Sequence, residues 1–464
     1  MTRAAFSVSN PSSTALRALN YSPATEAFRR KTRSRRCERL GNLVAQMGAG
    51  YGAVFTRHDC HPDYGVELLS QSDMFATEPQ GRIIREDSIP VASDHQIKKW
   101  QVLIAGAGTL GETELFGRSI IADGRLQNKY VGPHAMVLTF NDPESARSLY
   151  TYAFLCTPEG IGCLRSTSYG TKVLGLRGDL LSNLLIPFPS DETTERVAGL
   201  IRNAVHQREV FADEIRLARQ PIEDLNDVAD AWNACREERA RCVVWRGDLP
   251  TLSAWNFAST GDVLRSLTEK WRLRLGDLVE PGGIFLGPRF GRVPCIPPNG
   301  INFLSQRDIF LMRPVPRRIV RPAVSDEQLF APKHVILLGA NGQLTEGTLF
   351  GRAELAACCA GDDAITGHIM RLFVEDPSDS EWVFAFLSTK LGMALLRSTA
   401  IGTSVPTMHV GLLGRLPIPE LPSNMIERVK GHIAGAVKAR ISASAAELEA
   451  IRIIEQEVLP EWLD

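Results

Sequence analysis

Gly106-Ala107-Gly108-Thr109-Leu110-Gly111 follows the apolar run Val102–Ala105 and matches a Gly-x-Gly-x-x-Gly turn. Such a turn holds a dinucleotide pyrophosphate when a helix opens directly after it and an acid stands roughly 20 residues on. The stretch that follows, ETELFGRSIIAD, has no helical period, and no acid stands near that distance. Residues 339–347, GANGQLTEG, keep the frame of the turn and break its pattern, so a glycine-rich turn is the simpler account and a nicotinamide enzyme is set aside. His58, Cys60 and His61 could hold a metal by type, but the matching stretch GRVPCIPPNG at 291–300 keeps only Cys295, so no metal is expected. His134 and His368 precede apolar runs and read as structural histidines at strand entries. Asn10-Pro11-Ser12-Ser13 is a faint echo of the Asn-Pro-Pro-aromatic motif of amino-methyltransferases, set in a polar tail. With no Gly-x-x-x-x-Gly-Lys-Ser/Thr loop, no repeated carboxylate pair and no nucleophile beside a base, the chain is expected to bind rather than to catalyse.

The matching stretches exist because the sequence is written twice. LGNLV at 40–44 returns as LGDLV at 275–279, LLSQSDMF at 68–75 as FLSQRDIF at 303–310, and ELFGR at 114–118 as TLFGR at 348–352. HAMVLTFNDP at 134–143 becomes HIMRLFVEDP at 368–377, and LRSTSYGT ending at Thr171 becomes LRSTAIGT ending at Thr403. The offset drifts only from 235 (275 − 40) to 232 (403 − 171), which marks a duplicated, domain-sized unit rather than a solenoid.

Composition bounds the rest. The 464 residues, 44% apolar and 23% charged, suit a globular protein with two or three cored domains. No run approaches the roughly 18 apolar residues of a membrane span, and the amino terminus lacks a signal-peptide core, so a cytoplasmic location is expected. Nine cysteines without a Cys-x-x-Cys pair agree with free thiols; Cys358 and Cys359 are neighbours without an assigned role. The net charge is −1, so any polyanion site must be local. Arg29–Arg39 carries seven positive side chains against one acid and Arg313–Arg321 four against none, whereas the last 18 residues hold six acids and one arginine. Either basic run alone could be a solvated face; their presence in both halves favours a nucleic-acid partner.

After the IPFPS and IPELPS segments the pattern turns helical, with Ser190 and Ser423 as N-cap candidates and acids expected in the first turns. Val197, Ile201, Ala204, Arg208, Phe211, Ile215, Ala218, Ile222, Leu225, Ala229 and Trp232 recur by fours and threes, as do Ile426, Val429, Ile433, Ala436, Arg440 and Ala443. Each seam carries an arginine at the same place, Arg208 or Arg440, which is either a register device or a snorkelling side chain. Pro221 marks a kink or break. Short apolar runs such as WQVLIAG, AMVLTF, HVILLGA and IMRLFV read as strands, so each half is a mixed α/β lobe followed by a strut. The expected segments are a first lobe at 1–189, a first strut region at 190–240, a second lobe at 241–422 and a second strut at 423–464, with 241–252 joining the first strut to the second lobe.

Lobe, strut, lobe, strut, with a glycine-rich turn leading to Phe-Gly-Arg, a Gly-Thr element and an Ile-Pro-x-Pro segment before each helix, resembles the specificity subunit of type I restriction-modification systems from about residue 18 to the end. The resemblance implies a mixed α/β fold of two duplicated target-recognition lobes separated by two long helices that form an antiparallel coiled coil. It further implies a non-catalytic subunit that reads a bipartite double-stranded DNA site and directs DNA methyltransferase subunits, two of them, and a restriction or translocase subunit to it. No cofactor is expected in this chain, S-adenosylmethionine belonging to the partner methyltransferase. Where the family often has Gln at the start of each strut, this chain has Glu195-Arg196 and Glu427-Arg428, which points to a divergent branch such as another methylation-based phage-defence system. An alternative is a two-lobed assembly protein of a defence complex that grips proteins; DNA binding without salt dependence, or none, would favour it. Side chains common to both halves should build scaffold or touch phosphate, and base readout should lie where the halves differ, at 51–64, 76–100, 286–298 and 311–333. Arg118 with Arg352 and Arg165 with Arg397 are the phosphate candidates, Gln71 with Gln306 the base or backbone candidates, and Arg317, Arg318, Gln80 and Lys98 the readout candidates, each weighed against an internal salt bridge or turn hydrogen bond.

Overall fold

The computed structural model describes residues 18–21, 23–32, 36–111, 114–236, 251, 253–257, 259–344 and 347–463. The Asn10–Ser13 tetrapeptide, residues 33–35 of the first basic run, and the joining stretch 241–252 except Thr251 lie outside the described residues. The chain divides into two compact units, residues 1–209 with 442–464, and residues 210–441.

The first unit is built on a four-stranded antiparallel sheet in the order Val44–Met47, Ala135–Phe140, Val102–Ala105, Ser119–Ile121. Val102–Ala105 is buried at every position, which is why it reads as an unbroken apolar run rather than an alternating one. A second, three-stranded sheet orders Arg82–Ile84, Val66–Leu69 and Tyr130–Val131, its last pair parallel. Helices Ala146–Cys156 and Pro158–Arg165 cover the first sheet with Leu149, Phe154, Leu155 and Leu164, all fully buried. Full burial of side chains of this size contributes about 1.5–3 kcal/mol each.

The second unit repeats this plan. Its four-stranded sheet runs Val279–Leu286, Ile369–Val374, Ile336–Gly339, Ala353–Leu355, and its three-stranded sheet runs Arg317–Ile319, Ile301–Leu304, Ala364–Ile365, again with the last pair parallel. Helices Ser380–Leu387 and Lys390–Arg397 take the covering role. The tight joint between the two covering helices is also repeated. Thr157 accepts the Gly160 N–H at 3.0 Å and Thr389 the Gly392 N–H at 3.0 Å. A Cβ on Gly160 would stand 2.0 Å from the Phe154 carbonyl oxygen, and one on Gly392 2.2 Å from that of Phe386, so neither place admits a side chain.

The two long helices are Asp191–Glu223 and Ser423–Ile453. Ser190 caps the first, its hydroxyl oxygen accepting the Thr193 N–H at 3.2 Å, with Asp191 and Glu192 in the first turn. Ser423 is not the cap of the second: it is the first helical residue, the Pro422 carbonyl accepts the Met425 and Ile426 N–H groups, and no acid stands in the first turn. Pro221 does not break its helix at once; the helix continues to Glu223, and a second begins at Asn226. That restart makes Val228 and Ala231 the fully covered positions beyond Ile222, with Leu225 and Trp232 partly buried against the same core, so the expected seam changes register after Ile222.

The helices pair antiparallel within each unit. In the first, Arg196 meets Glu457 and Arg208 meets Glu447; in the second, Phe211 lies under Arg440 and Glu214 meets His432 at 2.7 Å. Val197, Ile201, Ala204, Val429, Ile433 and Ala436 are all buried, as the heptad spacing requires. The seam arginines are not snorkelling, being 2% and 0% exposed. Arg208 pairs with Glu447, which also accepts the Tyr152 hydroxyl; Arg440 pairs with Glu354 of a sheet strand at 2.6 Å and donates to the carbonyls of Ile309 and Leu311.

Candidate nucleic-acid interface

The polar residues common to both units converge on one element, the glycine-rich turn and the Phe-Gly-Arg turn after it. Gln71 donates through Nε2 to the Ala107 carbonyl and accepts the Ala107 N–H through Oε1 at 3.3 Å. Gln306 does the same at Asn341, donating at 2.7 Å and accepting at 3.3 Å. Ala107–Gly108 then pairs with Leu174 and Gly175, so the glycine-rich turn feeds a small sheet and not a helix, which removes the geometry a dinucleotide needs.

Gly117 and Gly351 sit at φ +80° and +84°, where a Cβ would also press on Arg165 Cγ at 2.9 Å or Arg397 Cγ at 2.7 Å. These arginines clamp the turn. Arg165 donates from Nε to the Phe116 carbonyl at 2.9 Å and from its terminal nitrogen to those of Gly111 and Glu114 at 3.1 and 3.2 Å; Arg397 donates to Phe350 at 3.0 Å. Burial lowers the Arg165 pKa. Arg118 and Arg352 are buried and donate to the carbonyls of Glu114 and Thr348, each at 3.2 Å.

Gln71, Arg118, Arg165, Gln306, Arg352 and Arg397, the phosphate and base candidates of the sequence, thus each make backbone contacts that shape the turn. Arg318 is likewise engaged, donating to the carbonyls of Asn299 and Pro298 and to Asn302 Oδ1 at 2.8, 2.8 and 2.9 Å. Arg317 is half-buried, and its Nε has no hydrogen-bond partner among the described residues. Lys98 is exposed, and Gln80 half-buried. Within the basic runs, Arg29 pairs with Glu26, Arg36 with Asp191 and Arg321 with Asp326, so these cations are partly neutralised.

A cleft in the second unit gathers further exposed cations that no carboxylate among the described residues pairs with. Pro288, Arg289, Phe290, Arg292, Thr366, Gly367 and His368 line a cleft of about 320 Å³ in the second unit. Arg292 donates to Thr366 Oγ1 at 3.2 Å and stands 5.0 Å over the Phe303 ring, which fixes its stem while its remaining donors face solvent. Partial burial and the two guanidinium charges lower the His368 pKa, so the cleft is an environment of positive potential that an anion would relieve.

The first unit carries the same residue types in the same frame. Counted at an offset of 235 without a gap, Phe55-Thr56-Arg57 matches Phe290-Gly291-Arg292, and His134 matches His368 at 234. This set was missed because 51–64 and 286–298 differ in most positions; the surviving Phe-x-Arg, which only a gap-free count brings out, was the signal. Arg57 and His134 are exposed. The hairpins after the covering helices expose a valine at equal places, Val173 at 63% and Val405 at 67%.

Among the described residues no cluster of three or more His, Cys, Asp or Glu side chains is placed to hold a metal, and no helix is long and apolar enough to cross a membrane. All eight described cysteines are free thiols.

No family model matches the sequence, and no curated protein does. Among solved structures, the S subunit of a type I restriction-modification system from M. genitalium is 12% identical, with 92% of this chain and 95% of that one covered and a TM-score of 0.32. The HsdS subunit from Thermoanaerobacter tengcongensis is 18% identical over 92% and 96%, with a TM-score of 0.26. A third structure, described as bearing on complex assembly and conformational transition of the type I restriction-modification system, is 17% identical over 92% and 97%, with a TM-score of 0.27. All three of these solved structures are similar to this chain over 92% of its length and come from type I restriction-modification systems, S subunits among them.

Proposed function

We propose that this chain is a non-catalytic DNA-specificity subunit: each lobe reads one half of a bipartite site, and the chain directs partner methyltransferase subunits, and a restriction subunit where there is one, to that site. The observation that carries this reading is the cationic cleft of Arg289, Arg292 and His368 beside Phe290, together with the same aromatic, arginine and histidine types at Phe55, Arg57 and His134. A stacked or edge-on aromatic beside un-neutralised cations suits a phosphate and its adjoining base. The shared arginines and glutamines act indirectly by shaping the turn beside the reading loops, and Arg317 is the remaining readout candidate of the second basic run. Methyl transfer and S-adenosylmethionine belong to the partner.

The test is to express the chain with the methyltransferase encoded beside it and to map methylated bases in genomic DNA, with and without Arg57→Ala and Arg292→Ala. A split motif that appears only with this chain, and that loses one half-site's definition in each variant, is the expected result. Methylation unchanged by the presence of the chain would overturn the reading and favour the assembly protein.

A further inference from the structure

Duplication supplies an internal comparison for a second cavity, whose lining in one unit is replaced by different residues in the other. In the second unit Lys333, His334, Leu355, Glu381, Val437 and Ile441 are among the residues that line a space of about 460 Å³ against the second long helix. This is within the roughly 300–1,000 Å³ of small-molecule sites. In the first unit the matching positions carry an ion pair, a tryptophan and a buried leucine. Lys99, the counterpart of Lys333 (333 − 234), pairs with Glu209 at 2.7 Å, and Glu209, the counterpart of Ile441 (441 − 232), also accepts the Gly124 N–H at 2.9 Å. Trp100 stands where the second unit has His334, and Leu149, fully buried, stands where it has Glu381.

Where the first unit has tryptophan, leucine and an ion pair, the second unit therefore has a hole with polar groups on its wall. Ser380, 1% exposed, lines the hole with its hydroxyl lacking any hydrogen-bond partner, and Glu381 presents a buried Oε2 that also lacks one. Its first-unit counterpart Ser148 is satisfied, donating to the Asp142 carbonyl at 2.6 Å. Orphaned buried oxygens of this kind cost roughly 1–3 kcal/mol each unless something donates to them. Burial raises the Glu381 pKa, which a donor would reverse. At the mouth, Lys333 and Lys438 are exposed, and no carboxylate among the described residues pairs with either.

Acceptors on the wall, aliphatic sides and cations at the mouth describe a molecule with an N–H donor on a flat apolar body and an anionic end. We infer that the second unit binds an amino-bearing mononucleotide in this cavity, its exocyclic amino group donating to Glu381 and Ser380, its ring between Leu355, Val437 and Ile441, and its phosphate facing Lys333 and Lys438. This site is separate from the DNA-reading cleft and stands or falls independently of it.

The experiment is calorimetric titration of the full chain with adenosine monophosphate, N6,N6-dimethyl-adenosine monophosphate and adenosine. One saturable site for the first is expected, with about tenfold weaker binding of the dimethylated compound, which has no donor, and of adenosine, which has no phosphate. Ile441→Glu restores the carboxylate that the first unit carries at this place; because Ile441 is 52% exposed the fold should survive, and binding should be lost. Glu381→Leu should act likewise. No saturable binding of adenosine monophosphate up to about 5 mM overturns the inference. Binding indifferent to Ile441→Glu, or equal for the dimethylated compound, overturns it as well.

Discussion

Glu447→Gln should destabilise the chain far more than the loss of one surface ion pair. Arg208 and Glu447 are each 2% exposed at the side chain and stand 2.5 Å apart, and Nε and Nη1 of Arg208 have no partner even in the intact pair. The Glu447 carboxylate, first against the cost of burial, is what keeps the guanidinium charged. Removing one partner of a buried pair leaves an uncompensated charge, at about 3–5 kcal/mol. Glutamine can still accept from Tyr152, so that hydrogen bond does not add to the loss. Replacing both members, as in Arg208→Met with Glu447→Met, removes the buried charge as well as its partner and should cost less than Glu447→Gln alone, a coupling of about 2 kcal/mol or more. Urea unfolding at fixed pH would show the single variant's midpoint falling with an unchanged slope, and the double variant recovering part of the fall. If Glu447→Gln costs less than about 1 kcal/mol, or the double variant costs the sum of the singles, the pair is solvated and the assignment of Arg208 as a buried register device is wrong.

Other outcomes follow from the interface. Arg292→Ala should weaken DNA binding across all sequences at low salt and reduce the salt slope by about 0.9, measured by titrating affinity against ionic strength. Because partial burial, and then Arg292 and Arg289, depress the folded His368 pKa, its protonation is unfavourable until an anion binds. DNA binding should therefore take up a proton and strengthen as pH falls through the ordinary histidine range near 6.5, and His368→Gln should flatten that profile. The same depression means that folding of the free protein is less favoured just below that pH than above it, since there the unfolded state binds more protons. Gly117→Ala should cost about 2 kcal/mol in thermal or urea unfolding, since φ +80° and the 2.9 Å approach to Arg165 both oppose it. Gln306→Ala, which removes both hydrogen bonds to Asn341, should cost about 1–3 kcal/mol while leaving the DNA salt slope unchanged.

The repeat, the strand and helix classes and the two long seam helices were legible in the chain because they depend on local periodicity and on blocks that recur in order, whereas their antiparallel pairing was implied by the family resemblance. Val102–Ala105 is apolar at every step, and IMRLFV is broken only by the buried Arg371, because these strands are buried on both faces, and Val197, Ile201 and Ala204 recur at seam spacing because that face is covered. The role of a shared arginine was not legible. Arg165 and Arg397 have the chemistry of phosphate contacts, and only the fold places them under the Phe116 and Phe350 carbonyls, which are 49 and 47 residues away. Backbone acceptors have no sequence signature, so a structural arginine and a binding arginine look alike until the chain is folded. The two seam arginines make the same point: they occupy equivalent positions, yet Arg208 takes its carboxylate from Glu447 on the second long helix and Arg440 takes Glu354 from a sheet strand. Their counterparts are Ile215 (447 − 232) and Ile120 (354 − 234), so neither pairing is repeated. Sequence alone thus determined that there are two lobes and two long seam helices, since duplication and heptad spacing are properties of the chain. Tertiary structure alone decided which charges are neutralised, which cleft keeps its charge open and which cavity is left unfilled, because each of these depends on groups far apart along the chain that meet only on folding.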